Sequence, residues 1–297
     1  MNIRVFYTIM SFSVEKFHKL ILCWYRTHGR RGLPWRKTHN PYEILVSEIM
    51  LQQTQVERVI SKYRNFLKKF PTAKKLARAG TFEVLKEWKG LGYNRRALYL
   101  KKAAEKIVND FGGWVPKTEA ELLTLPGIGQ YTARAILAFS WNRPVVFIET
   151  NIRRVFIHHF FPNTKKVSDK KISAVVAQML WKKDPRVWYW ALMDYGADMA
   201  KARWDRPHRA RKIPNPNKKS AHYVRQSPFV GSRRHARSKV LELLLKKKKI
   251  RFGEIRKFFQ SDAVLKKYAS QKILFEIVCS LERDGFIAKN GSAWSAR

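Results

Sequence analysis

The chain has 297 residues, 45% of them hydrophobic, enough to bury one large core or two modest ones. Lys and Arg number 61 against 22 Asp and Glu, a net charge of +39 that solubility does not require and that fits electrostatic binding to a polyanion. Only Cys23 and Cys279 are present, which excludes a disulfide framework and a cysteine-rich metal site and makes a reducing, cytoplasmic compartment the default. A solvated basic surface is the bland alternative, but so large a charge repels itself without a partner. The basic residues are not gathered on one amphipathic helix and no stretch is long enough to span a membrane, so nucleic acid is favoured over a lipid surface.

The opening residues, MNIRVFYTIMSFSV, are read as no signal sequence, because Thr and Ser break the apolar run and no small-residue cleavage site follows. Met10 serves equally well as a start, since helical patterning begins near Val14. From there to Ala202 the chain is a succession of helix-period segments separated by Pro, Gly or Asn, predicting helices over 14–28, 42–54, 56–69, 72–78, 81–87, 94–111, 118–124, 130–140, 150–159, 168–182 and 186–198. The run KARWDRPHRARKIPNPN that begins at Lys201 loses this periodicity and reads as a linker, in the part of the chain where positive charge is densest. Beyond it, helices are expected over 233–245, 253–259 and 270–284, and two short apolar runs flank the hairpin dipeptide Asn290-Gly291. Three helices and a terminal hairpin describe a winged helix. The KKKKIR run at 246–251 is then expected in a turn, as a phosphate contact or a solvated loop.

The most informative stretch is Leu122 to Val155, LLTLPGIGQYTARAILAFSWNRPVVFIETNIRRV. Gly127 and Gly129 let the backbone turn sharply before a helix start with its unpaired amides, which is a seat for a phosphate. Glu149 follows the apolar VVFI and precedes a new helix. Glu48 is the one charged residue in ILVSEIML (44–51). On such a face desolvation would raise its pKa and let it hold a proton near neutrality, unless it sits at the stripe's edge and reaches water.

Four motifs, LPWRKTHNPYEILVSEIMLQQTQV (33–56), WKGLGYNRRA (88–97), LPGIGQYTA (125–133) and FIETNIRRV (147–155), occur in an order and spacing that resemble the helix-hairpin-helix DNA glycosylases, specifically the MutY-type adenine glycosylases. The resemblance covers roughly residues 14–200. It implies a mainly α fold of two helical subdomains with a DNA cleft between them in residues 1–200; the basic linker at 201–228 and the small winged-helix-like DNA-binding domain at 229–297 are read from the residues beyond it. It also implies a flipped adenine and a monofunctional hydrolase acting on double-stranded DNA, working as a monomer without an obligate protein partner or membrane, and associated with the nucleoid in a prokaryote.

The resemblance assigns roles that chemistry explains. Adenine is a poor anionic leaving group unless N7 is protonated, and Glu48 matches the family's acid. The sugar gains oxocarbenium character and wants a carboxylate beside C1′, the place of Glu149. Tyr131 stands where related lyases carry a Schiff-base lysine, so hydrolysis is expected, and Asn151 would orient the carboxylate or the water. Arg36 would line the adenine pocket with Trp35 beside it and Asp194 reaching toward it. Gln53 and Tyr93 resemble side chains that wedge into the duplex around the base opposite the adenine, with Thr54 and Leu91 near that base. Amides from Gly127 through Gly129 and Gln130 to Tyr131 would bind a phosphate, and the carbonyls of Leu123, Leu125 and Ile128 would hold Na+ or K+.

Three departures stand out. The family's usual residue at 149 is aspartate; glutamate adds roughly an ångström of reach, and misplacement on that scale can cost on the order of a hundredfold in rate. Many members carry a four-cysteine iron–sulfur loop, but Ala200, Pro207, Ala210 and Pro216 occupy that spacing here, so no cluster is expected and the basic RPHRARK run would replace the loop's DNA contact by charge. The family's C-terminal domain that inspects 8-oxoguanine is replaced by the smaller terminal domain. The expected activity is removal of adenine mispaired with guanine or 8-oxoguanine. The alternatives are a thymine or uracil glycosylase on G:T or G:U mismatches, and a non-catalytic DNA-damage-binding protein. Glu48 discriminates, because protonating N7 serves only a purine.

Overall fold

A computed structural model describes residues 13–201, 215–223 and 228–296. Residues 1–12 of the leader read as no signal sequence lie outside them, as do Pro207 and Ala210. The chain divides into two compact units that interleave along the sequence, one built from Met1–Ile44, Lys117–Leu123 and Ile128–Arg225, the other from Leu45–Pro116, Thr124–Gly127 and Gln226–Arg297.

In the first unit, α1 (Val14–His28) starts at Ser13, whose hydroxyl accepts from the Lys16 amide at 3.2 Å. Phe17, Ile21 and Tyr25 recur every four residues and are buried as one stripe. Phe17 meets Phe156, Phe160 and Trp188 edge-on, with centroids 5.6, 5.0 and 5.7 Å away, and so joins α1 to α9 (Thr150–Phe160) and α11 (Pro185–Lys201). α10 (Asp169–Gln178) packs on α9. α7 (Glu119–Leu123) is tied to α8 (Gln130–Trp141) by the 2.7 Å Arg134–Glu119 ion pair. Gly196 lets α9 and α11 touch through their backbones: a Cβ there would lie 2.4 Å from the Asn151 carbonyl oxygen.

The described stretch 215–223 of the expected linker packs against the rest of the first unit. Pro216–Lys219 forms a 3-10 turn, Val167 donates to the Lys219 carbonyl and the Ala221 amide to the Val167 carbonyl, both at 2.8 Å. Asn217 is buried, and its amide donates to the Thr150 carbonyl at the start of α9 (3.1 Å).

In the second unit, α2 (Pro41–Leu51, of which Leu45–Leu51 belongs here) leads to α3 (Val56–Lys69), α4 (Ala73–Arg78), α5 (Thr81–Trp88) and α6 (Arg95–Phe111). Val59, Tyr63 and Phe66 form the buried stripe of α3, and Phe66 packs edge-on against Phe70 and Trp88. Residues from 233 follow as α12 (Arg233–Lys247), β1 (Lys249–Arg251), α13 (Phe252–Ser261), α14 (Gln271–Arg283), β2 (Ile287–Asn290) and β3 (Ala293–Ala296). The antiparallel sheet has the order β1-β3-β2, with Ile250 opposite Trp294 and Ile287 opposite Ala296. These elements run in the order helix–strand–helix–helix–strand–strand.

Several boundaries differ from the sequence expectation. α2 ends at Leu51 rather than 54, because Gln53 turns into the left-handed region at φ 55°. α10 stops at Gln178, short of 182. The basic run expected in a turn instead closes α12 with Lys246 and Lys247, caps it with Lys248 and ends as strand β1, where Ile250 is buried.

Candidate active site

Glu149 is the N-cap of α9. Its Oε1 accepts from the amides of Asn151 (2.7 Å) and Ile152 (2.8 Å), and its Oε2 from the Asn151 side-chain amide (3.3 Å). The carboxylate thus satisfies helix donors that would otherwise lack intrahelical partners. Part of its surface stays accessible, yet enough protein surrounds it that burial, the largest influence, pushes its pKa up. The two amides and the charges of Arg154 and Arg153 oppose this without cancelling it. Asn151 is held in turn: its Oδ1 accepts from Arg154 Nη1 at 2.6 Å, and the same nitrogen donates to the Gly196 carbonyl. Arg154 and Gly196 therefore fix Asn151, and the sequence reading singled out neither. Their signal was the small residue in ALMDYGA and an arginine one turn beyond Asn151.

Tyr131, half-buried in the first turn of α8, meets Phe147 edge-on at 5.6 Å. Phe147 stacks on Tyr189 at 3.8 Å, and the Tyr189 hydroxyl donates to the Val145 carbonyl at 2.7 Å. The extended segment before Glu149 is pinned by this aromatic column.

In the same unit, Arg36 and Asp194 come together as a two-pronged pair, with Nη1 and Nη2 at 2.6 and 2.9 Å from the carboxylate oxygens. Arg30 adds its amide at 2.8 Å and Nε at 2.7 Å. Burial alone would raise the pKa of Asp194, but the Arg36 hydrogen bonds and the charges of Arg36 and Arg30 bring it below the ordinary value. Arg36 also lies over the Trp190 ring at 5.5 Å and lines a pocket of about 420 Å³ with Tyr25, Arg31 and Trp181. Trp35 is buried on the 3-10 turn Pro34–Arg36 and is not part of that lining.

Of the two hairpin glycines only Gly127 has the left-handed backbone, at φ 82°, and a Cβ there would sit 2.7 Å from Tyr99 Cβ. Gly129 has an ordinary φ of −99° with open space around it and caps α8, so the expectation that both glycines are needed for the turn is corrected. Gln130 is exposed at the first position of α8; Leu123 is exposed, while Leu125 and Ile128 are buried.

In the second unit, Glu48 is 5% exposed on α2, in a row with buried Leu45, Val46, Ser47, Ile49 and Met50. It does not lie at a water-facing edge of the stripe. Arg96, missed by the sequence reading, is the other buried charge. It donates to the carbonyls of Ile49 (2.8 Å), Met50 (2.9 Å), Gln52, Leu91 (3.2 Å) and Gly92 (3.0 Å) and to Thr54 Oγ1 (2.9 Å). Thr54 Oγ1 also reaches the Leu91 carbonyl at 3.2 Å. One guanidinium therefore binds the segment after α2 to residues 91–93, which brings Gln53, Thr54, Leu91 and Tyr93 into one neighbourhood. Desolvation lowers its pKa to about 10, still charged at neutrality. Tyr93, like Gln53, has a left-handed backbone, at φ 46°.

Residues 46–181 match the model of the HhH-GPD superfamily base excision DNA repair proteins. The chain is 42% identical over 166 residues to the adenine DNA glycosylase of Buchnera aphidicola subsp. Baizongia pistaciae, covering 56% of this chain and 45% of that one. It is 47% identical over 136 residues to the adenine DNA glycosylase of Mycolicibacterium smegmatis, covering 46% of each. It thus spans less than half the length of these curated relatives. Among solved structures, a thermostable thymine-DNA glycosylase superposes with a TM-score of 0.56 at 27% identity, covering 67% of this chain and 90% of that one.

The iron–sulfur cluster that many relatives of this type carry does not fit the residues present. None of the four positions at its spacing is a thiol, and Cys23 on α1 and Cys279 on α14 belong to different units. Among the described residues no group of three or more His, Cys, Asp or Glu is placed to hold a metal ion, and no helix is long and apolar enough to cross a membrane.

Proposed function

We propose that this protein is a DNA glycosylase that hydrolyses the N-glycosidic bond of adenine mispaired with guanine or 8-oxoguanine in double-stranded DNA. The observation that carries the reading is Glu48, a carboxyl group buried on an apolar helix within the stretch that matches the base excision repair family model, in a chain that is 42–47% identical over part of its length to adenine DNA glycosylases. In this reading Glu48 gives a proton to N7, the bond from C1′ to N9 breaks with its electron pair going to the base, and water adds its hydroxide to C1′ while its remaining proton passes to a carboxylate and restores the starting protonation state. Glu149, oriented by Asn151, faces the cationic sugar. Because Glu149 must be ionised and its pKa is raised, the rate rises with pH through that pKa. Tyr131 offers no amine for a Schiff base, so strand cleavage follows only after alkali. The protein would act in the compartment that holds the chromosome.

The likeness to a thymine-DNA glycosylase supports a second reading, excision of thymine or uracil opposite guanine. Incubation with A:8-oxoG, A:G, T:G and U:G duplexes, with and without alkali, separates the two. Adenine release that is lost in Glu48→Gln and in Glu149→Gln, and retained or raised in Glu149→Asp, supports the first. Pyrimidine release with Glu48→Gln fully active establishes the second, and no release from any duplex leaves a DNA-binding protein.

A further inference from the structure

The terminal winged helix is joined to the second unit by more than chain continuity. Asp284, at the end of α14, takes Arg95 at 2.6 Å on one oxygen and Arg237 of α12 on the other. Lys89 faces Glu242 of α12 at 3.9 Å, and α12 packs on α5. These pairs hold α12 beside the segment 89–96. Together they enclose a groove of about 1220 Å³, lined on one side by residues 52–55 and 89–96 and on the other by Arg234, Arg237, Ser238, Leu241 and Glu242. At its centre the half-exposed Tyr93 ring lies under the Arg234 guanidinium, 5.9 Å from its carbon, and the Tyr93 hydroxyl accepts from Arg234 Nη1 at 2.9 Å.

We propose that this groove seats the DNA strand opposite the excised base, with α12 as its second wall and Arg234 as the residue that positions Tyr93. The chemistry argues for that occupant. Six Lys and Arg side chains line the groove against the single carboxylate Glu242, and the chain as a whole carries +39. An aromatic ring backed by a guanidinium offers a stacking face for a base, and the amides of Gln52, Gln53, Gln55 and Asn94 offer hydrogen bonds to base edges or phosphate. The left-handed backbones of Gln53 and Tyr93 are locked by Arg96, so both side chains are aimed before DNA arrives. In this arrangement the terminal domain is part of the surface that reads the partner strand and not a separate anchor.

The inference rests on the glycosylase reading, and its test is independent of catalysis. A duplex carrying 2-aminopurine opposite the target adenine is titrated with the full chain, and affinity and fluorescence are read together. Wild type is expected to unstack the 2-aminopurine and raise its emission. Arg234→Ala is expected to weaken binding on the order of tenfold and to remove most of that rise, with Arg234→Lys intermediate and the melting temperature of each variant unchanged. Tyr93→Phe keeps the ring and is expected to retain more of the signal than Tyr93→Ala. Arg234→Ala matching wild type in both affinity and emission overturns the inference. Since neither readout needs base release, a protein that excises nothing but passes this test contradicts the glycosylase reading and leaves the groove standing.

Discussion

Arg36 and Arg96 both carry their guanidinium groups out of water, one in each unit, and they are held in opposite ways. Arg36 is met by a carboxylate that is itself buried, with Arg30 completing the cluster. Arg96 is met by backbone carbonyls and one hydroxyl, with no acid among its hydrogen-bond acceptors. The ion pair concentrates energy in one contact, so removing a partner strands a buried charge. The carbonyl cradle spreads energy over two chain segments, so what it chiefly secures is their geometry, including the left-handed turns of Gln53 and Tyr93. The first is a stability device beside a pocket of about 420 Å³; the second is a shaping device under a surface proposed to meet DNA.

The largest expected effect comes from breaking the ion pair. Asp194→Ala leaves Arg36 unpaired and should lower unfolding free energy by about 3–5 kcal/mol, read by denaturant titration at neutral pH. The sign with pH follows from the lowered folded pKa of Asp194. The pair's contribution is fully present above the unfolded value of about 3.9 and is lost as pH falls through the folded value, so the gap between wild type and Asp194→Asn should shrink in acid. A gap that is constant with pH would show the two sites to be alike after all.

A smaller stability effect is expected from Arg96→Lys, which keeps the charge but loses the planar fork that reaches several acceptors at once. About 1–3 kcal/mol should be lost, together with a larger fall in duplex affinity than that of Asp194→Asn. Stability loss without any change in affinity would deny Arg96 its shaping role.

Much of the helical architecture was legible because apolar residues recur at helical spacing, and α1 and α3 match their expected limits of 14–28 and 56–69. What escaped was set by contacts distant in sequence. The early end of α2 follows from the backbone of Gln53, whose carbonyl neighbour Gln52 is held by Arg96. β1 exists because β3, more than 40 residues later, supplies its hydrogen bonds, which no local pattern in a lysine run reveals. The motif letters Glu48, Glu149 and Asn151 were readable, but the helpers were not. Arg96 looks like surface charge until its acceptors are folded around it, and Arg30, Arg154 and Gly196 matter only through partners on other helices. Glu149 itself is legible as a carboxylate before a helix, and its capping bonds to the Asn151 and Ile152 amides follow from that place.

The central claim is that Glu48 protonates N7 of a purine. Single-turnover release from an A:G duplex should be compared with release from the same duplex in which the target adenine carries CH in place of N7. The account predicts release from the first and none from the second, at matched affinity. Equal release from both would contradict it.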